Sequence, residues 1–436
     1  MLALTREERM AAGREKRDTL SRARLGELAG RKQNFDPVKE VLRAGEGRLR
    51  ALLPLKYQKM AASPFAFFRG SVGLMAADLA REPNTGLTVQ LCGDAHIQNL
   101  GSFATPDGRT VFDINDFDET APGPWEWDLK RMSVSIVLAG EVSGHTREAC
   151  GGAVESFLRS YCTLTEYLAG QPVLAAARYQ IHRASSAPAV EDALRQSERS
   201  SPCELLAKYT GSAADGATEF RGMDKELWRL KGSERKSVLE TLRVYRKSLL
   251  PERVHTFNLF RAVDVAFKVV GTGSVGLRNY VVLMEGNGPA DPLFLQIKQQ
   301  VASTYSPYLK LPAYGNEGQR VAEGQRQIQP LSDPLLGWTR MGSRHYLVRQ
   351  LSDHKGGVNL SQLKGPGLQS LAEIAGELLA RGHARSGDAA AIHGYMGEPE
   401  RVITAIRNYG AAYADVVRAD FGKFKKAIRA GRVKAG

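Results

Sequence analysis

The chain has 436 residues, of which 43% are apolar and 25% charged, and its formal net charge is +13. At about 100–200 residues per domain this length allows two or three domains, and the apolar fraction excludes a chain that is disordered throughout. Four widely spaced cysteines without a CxxC pair indicate neither a zinc site nor a disulfide framework. There is no apolar run of about 18 residues and no apolar signal-peptide core, so we expect a cytoplasmic protein without a membrane span.

The positive charge is concentrated at the two ends of the chain. Residues 1–60 hold 15 Lys and Arg against 8 Asp and Glu, and residues 418–436 hold 7 against 1. These differences of +7 and +6 account for the whole net charge, so residues 61–417 are neutral on balance. A basic groove along the body is therefore disfavoured, and nucleic acid is not an expected partner. The basic ends are expected either to be solvated helices or to contact a partner or an anionic surface.

The first half of the chain is predicted to be mostly helical, because its apolar residues recur at helical spacing. Asp36 and Pro37 suit the N-cap and first position of a helix. Residues 171–250 mix Ser, Pro, Gly and charge, which predicts loops and variable helices. The predicted helices are 5–32, 36–50, 64–81 and two over 127–170 that separate near 140–144, with short strands at 88–94 and 109–116.

A β-rich segment follows at about 262–352, and helices return after it. Its first three strands are predicted to form a meander, joined by the turns GTGSVG and GNGPAD. The sequence of elements is that of an α+β chain rather than a regular βαβ alternation. The predicted strands are 263–270, 279–286, 293–300 and 345–351, with helices at 317–329, 367–384 and 399–430.

The densest group of chemically active side chains lies in LCGDAHIQNLGSF (91–103) and FDINDFDET (112–120). Carboxylates so close together repel one another unless a cation lies among them, and oxygen ligands suit Mg²⁺, Mn²⁺ or Ca²⁺ rather than Zn²⁺. The alternative is that these residues only cap turns after two strands. A metallophosphoesterase would need further His ligands in a motif that the other histidines do not form. This group, the acid cluster, consists of Asp94, His96, Asn99, Asp113, Asp116 and Asp118.

Phosphoryl transfer by protein kinases requires an Asp that orients the attacking hydroxyl, an Asn about five residues later and a separate Asp for Mg²⁺. Asp94, Asn99 and Asp116 have this order and spacing. We therefore expect ATP and Mg²⁺ as cofactors, with Mn²⁺ as a possible substitute. The absence of GxxxxGK[ST] excludes a P-loop NTPase.

The β-rich segment supplies the other parts that a kinase site needs. Lys298 lies on its third strand, and Glu323 on the following helix is the expected ion-pair partner. Each feature alone has a simpler explanation, such as a glycine hairpin, an edge-strand lysine or an exposed helical glutamate. The order of strand, glycine turn, strand and strand with lysine is more specific. The residues expected to cover the phosphates are Gly271, Gly273, Ser274 and Gly276.

The acid cluster precedes the glycine turn by some 180 residues, which is the reverse of the order in ordinary kinases. A circular permutation reconciles the two orders. We therefore predict a two-lobed, circularly permuted protein-kinase-like fold. Its predicted parts are a basic helical extension (1–60), a helical catalytic lobe (61–255 and 353–436) and a β-rich nucleotide-binding lobe (256–352).

The sequence resembles the bacterial DUF2252 proteins, which are grouped with the protein-kinase-like and aminoglycoside-phosphotransferase-like fold. The resemblance spans most of the chain from about residue 35 onward. The stretches that carry it are SPFAFFRG (63–70), CGDAHIQNLGSF (92–103), FDINDFDETAPGPWEWDLKRM (112–132), VGTGSVGLRNYVVL (270–283), RVAEGQRQIQ (320–329) and LARGHARSGD (379–388).

The resemblance implies roles for individual residues. Asp94 and His96 match the catalytic loop, and Asn99 and Asp116 match the metal ligands, with Asp113 and Asp118 as competitors for Asp116. Two further side chains are implicated. Asp128 resembles the buried helix Asp that ties down the loop backbone, and Arg69 either contacts phosphate or fixes the acid cluster. Cys92 stands where the phosphotransferase pattern has His, and Arg278 where a kinase has the Val that covers adenine.

The resulting hypothesis is an ATP- and Mg²⁺-dependent phosphotransferase that acts on an unidentified hydroxyl-bearing acceptor, a small molecule or a protein. An acidic acceptor site would indicate aminoglycoside-like cations, but the sequence does not identify the acceptor. Two alternatives use the same residue types: nucleotidyl (AMP) transfer, and a nucleotide-binding pseudokinase that acts as a scaffold.

Overall fold

The computed structural model describes residues 4–105, 107–181, 187–199, 201–212, 216, 218–223, 226–269, 272–351 and 355–436. The fold belongs to the α+β class, as predicted. No helix in this described part of the chain combines the length and the apolar content that a membrane span requires.

Helices make up most of the chain on both sides of a central β-rich region. They are α1 (Arg6–Thr19), α2 (Pro37–Arg43), α3 (Leu53–Met60), α4 (Pro64–Gly70), α5 (Val72–Leu79), α6 (Glu126–Val142), α7 (Arg147–Gly170), α8 (Val173–Arg178), α9 (Pro188–Glu198), α10 (Pro202–Tyr209), α11 (Gly232–Arg246), α12 (Pro251–Asn258), α13 (Glu317–Ile328), α14 (Gly367–Ser386), α15 (Ala389–Met396) and α16 (Pro399–Arg429).

The strands fall into two groups along the chain. Those near the acid cluster are β1 (Thr88–Leu91), β2 (Leu100–Ala104), β3 (Thr110–Ile114) and β4 (Ala121–Pro124). Those that follow are β5 (Thr210–Ser212), β6 (Thr218–Phe220), β7 (Leu227–Arg229), β8 (Arg261–Lys268), β9 (Asn279–Glu285), β10 (Pro292–Gln300), β11 (Gly337–Met341), β12 (Arg344–Gln350) and β13 (Gly356–Gly357).

The main sheet is antiparallel and has the strand order β11-β12-β10-β9-β8-β7. The meander β8-β9-β10 is the one predicted from the sequence, and β12 pairs with its third strand. Apolar side chains on both faces of this sheet form two separate clusters, which also include residues of α10 and α11. The β-rich region therefore draws in residues that precede 256, the boundary expected from the sequence.

Three predicted helices differ from the structure in their limits. The helix expected over 5–32 ends at Thr19, where Leu20 adopts an extended conformation, and only a short 3₁₀ turn follows at Arg22–Gly26. Asp36 caps α2 as expected, because its carboxylate accepts a hydrogen bond from the amide of Val38, but the helix ends at Arg43 rather than Arg50. Gly47 follows with a φ of +76°, a conformation that favours glycine and interrupts a helix. The predicted helix at 64–81 is divided into α4 and α5 at Ser71, whose hydroxyl donates to the carbonyl of Phe67.

The helical part has one extensive core, with α6 at its centre. Charged side chains near the start of α6 are buried and each has a partner. Lys130 Nζ lies 2.5 Å from Glu82 Oε2, and Arg131 Nη2 lies 2.5 Å from Asp94 Oδ1. Because a buried charge without a partner is costly, these pairs fix α6 against α5 and the loop after β1.

The two ends of the chain pack against the helical core and against each other. Arg31 places its guanidinium between Asp78 Oδ2 (2.5 Å) and Asp420 Oδ2 (2.7 Å), joining the N-terminal segment to α5 and α16. The main-chain amide of Gly436 donates to the carbonyl of Pro54 at 3.2 Å. The two basic ends therefore lie side by side on one face of the molecule.

Candidate functional site

Two adjoining cavities lie between the main sheet and the loops of the acid cluster. Five residues line both of them: Arg69, Asp94, Asp116, Gly273 and Ser274. The first, the sheet cavity, encloses about 420 Å³. Its remaining lining residues are His96, Asn99, Lys268, Val269, Gln296, Lys298, Arg349, Leu351 and Lys355.

The second, the N-terminal cavity, encloses about 270 Å³ and extends toward α2–α4. It contains side chains of both signs. Its remaining lining residues are Arg43, Ala44, Glu46, Arg48, Lys56, Gly70, Ser71, Val72, Gly73, Asp118, Glu119, Leu277, Gln300, Val301, Ala302 and Thr304.

The loop that presents Asp94 is held by main-chain contacts. Gly93 has a φ of +85°, and a Cβ there would lie 2.2 Å from the carbonyl oxygen of Glu119, so only glycine fits. The carboxylate of Asp128 accepts hydrogen bonds from the amides of Cys92 (2.8 Å) and Gly93 (3.2 Å). Asp128 thus satisfies two buried donors and fixes the loop one residue before Asp94.

Asp94 is positioned by a buried arginine. Arg131 Nε and Nη2 lie 2.9 and 2.5 Å from Asp94 Oδ1, and the other carboxylate oxygen lies 3.7 Å from His96 Nε2. Burial raises the pKa of the Asp94 carboxyl to about 6, an effect that Arg131 partly offsets and that Glu119 and Asp116 increase. At pH 7 the group is mostly ionised, with a pKa close enough to neutrality for a proton acceptor.

His96 is buried beside Asp94 and Arg69. Burial, and then the charge of Arg69, lower the pKa of the imidazole well below its usual value, so the ring is neutral. Its Nε2 lies 3.4 Å from Arg69 Nε, while its buried Nδ1 has no hydrogen-bond partner within the described residues. Arg69 Nη1 also donates to Gln98 Oε1 at 2.5 Å. Arg69 therefore contacts the loop of the acid cluster and lines both cavities.

Asn99 and Asp116 both line the sheet cavity. The side-chain amide nitrogen of Asn99 donates to the main-chain oxygen of Asp94 at 2.8 Å, which leaves its oxygen available as a ligand. The Asp116 side chain is 38% exposed, and its Oδ1 lies 3.6 Å from Lys298 Nζ. No cluster of three or more His, Cys, Asp or Glu suited to a metal occurs among the described residues.

The side-chain oxygens of Asn99 and Asp116 nevertheless fit a Mg²⁺ ion that is bound together with a nucleotide. Mg²⁺ in such sites takes one or two protein oxygens, and phosphate and water complete its coordination. Asn99 and Asp116 supply one amide and one carboxylate oxygen at a cavity that also contains Lys298, Arg349 and Lys355. The donor set suits a metal that is shared with phosphates rather than one held by protein alone.

The structure corrects the expected partner of Lys298. Its ammonium lies 2.5 Å from Asp118 Oδ2, whereas Glu323 accepts a hydrogen bond from Gln319 one turn earlier on α13. The tertiary structure explains this difference, because the segment after β3 places Asp118 next to β10. The counter-ion of Lys298 therefore comes from the acid cluster and not from α13. Although burial alone would raise the pKa of the Asp118 carboxyl, Lys298 and Gln300 hold it below its usual range.

Asp113, the other candidate metal ligand, is also placed differently from the prediction. It lies on β3 with its carboxylate 2.5 Å from Arg381 Nη2 on α14, and both side chains are buried. Successive side chains of a strand point to opposite faces, and Asp113 is directed toward the helical core. It borders neither cavity.

The glycine turn lies beside the acid cluster. Ser274 Oγ donates to Asp118 Oδ2 at 3.1 Å, and Gly273 lines both cavities. Gly276 has a φ of +89°, and a Cβ there would lie 2.9 Å from Arg48 Cβ. Gly271, also expected to cover phosphate, lies outside the described residues. The structure thus brings the glycine turn and the loop that presents Asp94 together across about 180 residues of sequence.

Several cations of the site were not predicted from the sequence. Arg48 donates to the carbonyls of Gly273 (2.9 Å) and Val275 (2.7 Å), and Lys56 lines the N-terminal cavity. Residues 1–60 were expected to lie outside the catalytic constellation, so these contacts correct that expectation. For Lys56 a signal existed, because it precedes Met60 by four residues and so shares the buried face of a helix.

Arg320 on α13 is a further missed residue. Its side chain is buried, and it donates to the carbonyls of Thr120 (2.6 Å), Asp118 (2.9 Å) and Val301 (3.0 Å). It thereby joins the end of the acid cluster to the segment after β10. The polar sequence RVAEGQRQIQ predicts that Arg320 is exposed. Its three acceptors lie outside α13 and are identified only by the tertiary structure.

Comparison with known proteins identifies the family. The family model described as "Uncharacterized protein conserved in bacteria (DUF2252)" matches residues 48–427, which is most of the chain and includes the residues that line both cavities except Arg43, Ala44 and Glu46. No curated protein gives a significant match. No solved structure does either. The match begins at Arg48, the residue that contacts the glycine turn. The chain therefore belongs to the bacterial DUF2252 family.

Proposed function

We propose that the protein is an ATP- and Mg²⁺-dependent phosphotransferase, and that its two parts correspond to the lobes of a circularly permuted protein-kinase-like fold. The observation that carries the proposal is the meeting of Asp94, Asn99, Asp116 and Lys298 at one cavity, with Gly273 and Ser274 at its edge. These are the residue types that phosphoryl transfer requires, and they come from segments far apart in the sequence.

The charge of the sheet cavity favours a polyphosphate ligand. Five cationic side chains line it, against the two carboxylates of Asp94 and Asp116. The cations are Arg69, Lys268, Lys298, Arg349 and Lys355. Burial, and then the charge of Arg349, lower the pKa of Lys355 to about 7, and a bound phosphate would restore its protonation.

The arrangement of the sheet supports the assignment of lobes. The glycine turn joins β8 to β9, Lys298 lies on the next strand, and α13 follows before β11 and β12. This is the order of glycine-rich loop, lysine strand and helix in a kinase nucleotide lobe. One feature departs from that pattern: the lysine pairs with Asp118 instead of the helix glutamate.

In the proposed reaction the γ-phosphoryl group passes from ATP to an acceptor hydroxyl. Asp94 accepts a hydrogen bond from that hydroxyl and then takes its proton, while Arg131 holds the carboxylate in place. The oxygen–phosphorus bond to the acceptor forms as the bond to the β-phosphate oxygen breaks, and ADP leaves with that oxygen. Lys298 and Arg349 bind the phosphates. Bound Mg²⁺, held by Asn99 and Asp116, would neutralise phosphate charge.

The first test is Mg²⁺-dependent ATP binding, measured by isothermal titration calorimetry. We expect binding to wild-type protein that requires Mg²⁺ and weakens at least tenfold in Asp116→Asn. Asp113→Asn affects a carboxylate outside the cavity and, in folded protein, should leave the affinity unchanged. Absence of ATP binding to folded wild-type protein would refute the proposal.

A second test separates the proposed reaction from its alternatives. Protein is incubated with cell extract metabolites and with ATP labelled at either the γ- or the α-phosphate. We expect product labelled only from the γ position, and Asp94→Asn should reduce its rate by about 10²–10⁴-fold. Label from the α position alone would indicate nucleotidyl transfer. ATP binding without any Asp94-dependent product would favour the pseudokinase.

A further inference from the structure

Lys56 is a buried cation without a partner in the N-terminal cavity. It lies on α3, its residue is 2% exposed, and within the described residues its ammonium makes no hydrogen bond or ion pair. The charged groups that face it are Arg48 and Glu119. A buried ammonium in this situation is costly, and such groups normally have a counter-ion.

Five carboxylates line the same cavity, and none of them forms an ion pair with Lys56. Asp94 pairs with Arg131, and Asp118 pairs with Lys298, which Asp116 also approaches at 3.6 Å.

The other two carboxylates of the cavity do not contact Lys56 either. Glu119 accepts hydrogen bonds through Oε2 from the amide and hydroxyl of Thr304 at 2.7 and 3.0 Å, and from a serine hydroxyl at 3.2 Å. Glu46 lies exposed at the rim of the cavity. Lys56 therefore has no acceptor among the described residues.

Arg48 adds a second cation without a carboxylate partner. Its guanidinium donates to the carbonyls of Ala44, Gly273 and Val275, so its hydrogen bonds are to neutral groups. Burial lowers the pKa of Arg48, as it does for Lys56, where burial and the charge of Arg48 bring the pKa to about 7. Two desolvated cations thus share one side of a cavity whose other side contains Asp94.

We infer that the N-terminal cavity is the acceptor site and that the acceptor is a small hydroxylated anion, bound through its phosphate or carboxylate group by Lys56 and Arg48 with its hydroxyl toward Asp94. This inference rests on the proposed function for the role of Asp94. The cavity volume of about 270 Å³ equals that of roughly nine water molecules, which fits a small compound.

The same residues disfavour a cationic acceptor. An aminoglycoside-like ammonium on the α3 side of this cavity would lie beside Lys56 and Arg48, and two of the buried acids, Asp94 and Asp118, are already paired with other cations. Like charges in a desolvated site repel strongly. The cavity chemistry therefore selects for a negative group at its α3 side.

The test measures anion binding directly, with inorganic phosphate and acetate as separate probes. Each is titrated by calorimetry into wild-type protein, Lys56→Met and the control Lys59→Met, which replaces an exposed lysine of the same helix. Lys56→Met removes an unpaired buried charge, so it should fold, and circular dichroism verifies this. We expect at least a tenfold loss of anion affinity in Lys56→Met and no change in Lys59→Met.

The two probes show whether the anionic group of the acceptor is a phosphate or a carboxylate. Phosphate binding that depends on Lys56 indicates a phosphate ester, and acetate binding alone indicates a carboxylate. Equal affinity of both probes for wild type and Lys56→Met, or no binding of either at millimolar concentration, would overturn the inference. The readout does not depend on ATP, so failure of Mg²⁺-ATP to bind would refute the proposed function without removing Lys56-dependent anion binding.

Once an acceptor is found, kinetics give a second readout. Phosphorylated polyols and hydroxy acids are screened with Mg²⁺-ATP for transfer. We expect Lys56→Met to raise KM for the anionic acceptor at least tenfold, with a smaller change in kcat. A preferred acceptor that is neutral or cationic would contradict the assignment.

Discussion

Burial shifts the pKa values of two side chains of the site in opposite directions. It raises the pKa of the Asp94 carboxyl to about 6 and lowers that of the Lys56 ammonium to about 7, since a desolvated charge is disfavoured in either case. Asp94 has a buried arginine that recovers part of the cost, and Lys56 has none. The lysine therefore makes the clearer thermodynamic prediction.

Lys56 should make stability depend on pH in a predictable direction. The unfolded chain has a lysine pKa of about 10.4, so between pH 7 and about 10 the unfolded state holds more protons and stability rises with pH. Wild type should thus be less stable than Lys56→Met below pH 7, and the difference should shrink by at most about 1.4 kcal/mol per pH unit above it. Urea unfolding at about pH 6 and about pH 9 measures this.

Lys59→Met is the control for this measurement, because Lys59 is exposed and its charge should contribute the same at both pH values. A stability difference between wild type and Lys56→Met that stays constant from about pH 6 to about pH 9 would show that Lys56 is not desolvated in solution.

The partner of Lys298 can be tested by comparing two carboxylates. Asp118→Asn leaves the buried ammonium without its closest charge, and we expect the free energy of unfolding to fall by about 2–3 kcal/mol. That is below the value for a fully buried pair, because Asp118 is 23% exposed. Glu323→Gln should change the free energy of unfolding by less than about 0.5 kcal/mol. The reverse ranking would restore the helix glutamate as the partner.

At the scale of elements, Arg320 joins α13 to the acid cluster. Arg320→Met removes the donor to three carbonyls, of which that of Thr120 is buried and those of Asp118 and Val301 are partly buried, at up to about 1–3 kcal/mol each without compensation. We expect the free energy of unfolding to fall by about 3 kcal/mol or more. Arg344→Met, at an exposed position of β12, is the control and should be nearly neutral. Denaturant unfolding of both variants makes the comparison.

The glycine turn between β8 and β9 offers a matched pair of substitutions. Gly276→Ala would strain a positive φ and press against Arg48, so we expect a loss of about 2 kcal/mol in stability. At Gly273 no atom lies within 4 Å of the place that an alanine methyl would occupy, so Gly273→Ala should leave stability unchanged. Because Gly273 lines both cavities, its methyl should instead weaken ATP binding several-fold. Unfolding curves and calorimetry separate the two effects.

The sequence predicts a helix or strand correctly where the residues that determine it lie within that element or next to it in the chain. Asp36 and Pro37 at the start of α2, the break between α6 and α7, and the meander β8-β9-β10 all follow from caps, turns and periodicity. β7 was missed because three residues carry too little periodicity. The partners of Lys298 and Arg320 were missed because they depend on how α13 and the acid cluster meet in three dimensions.

At the scale of the whole molecule, Arg31 joins the N-terminal segment to α5 and to α16 near the other end of the chain. Arg31→Met would leave the buried Asp420 without its cation, whereas Asp78 keeps Arg81, and we expect a loss of about 3 kcal/mol in stability. Arg24→Met removes an exposed pair with Glu27 and should cost no more than about 1 kcal/mol. Thermal unfolding compares them, and equal effects would mean that the two ends do not depend on this contact.

The two cavities have Arg69, Asp94, Asp116, Gly273 and Ser274 in common. Ligands in the two cavities must therefore approach each other closely, so that a short tether could join them. A bisubstrate compound, with a nucleotide polyphosphate at one end and an anionic group at the other, would bind its second end at an effective concentration in the millimolar range. Such a compound would gain affinity from both Lys298 and Lys56, and it offers a route to selective inhibitors.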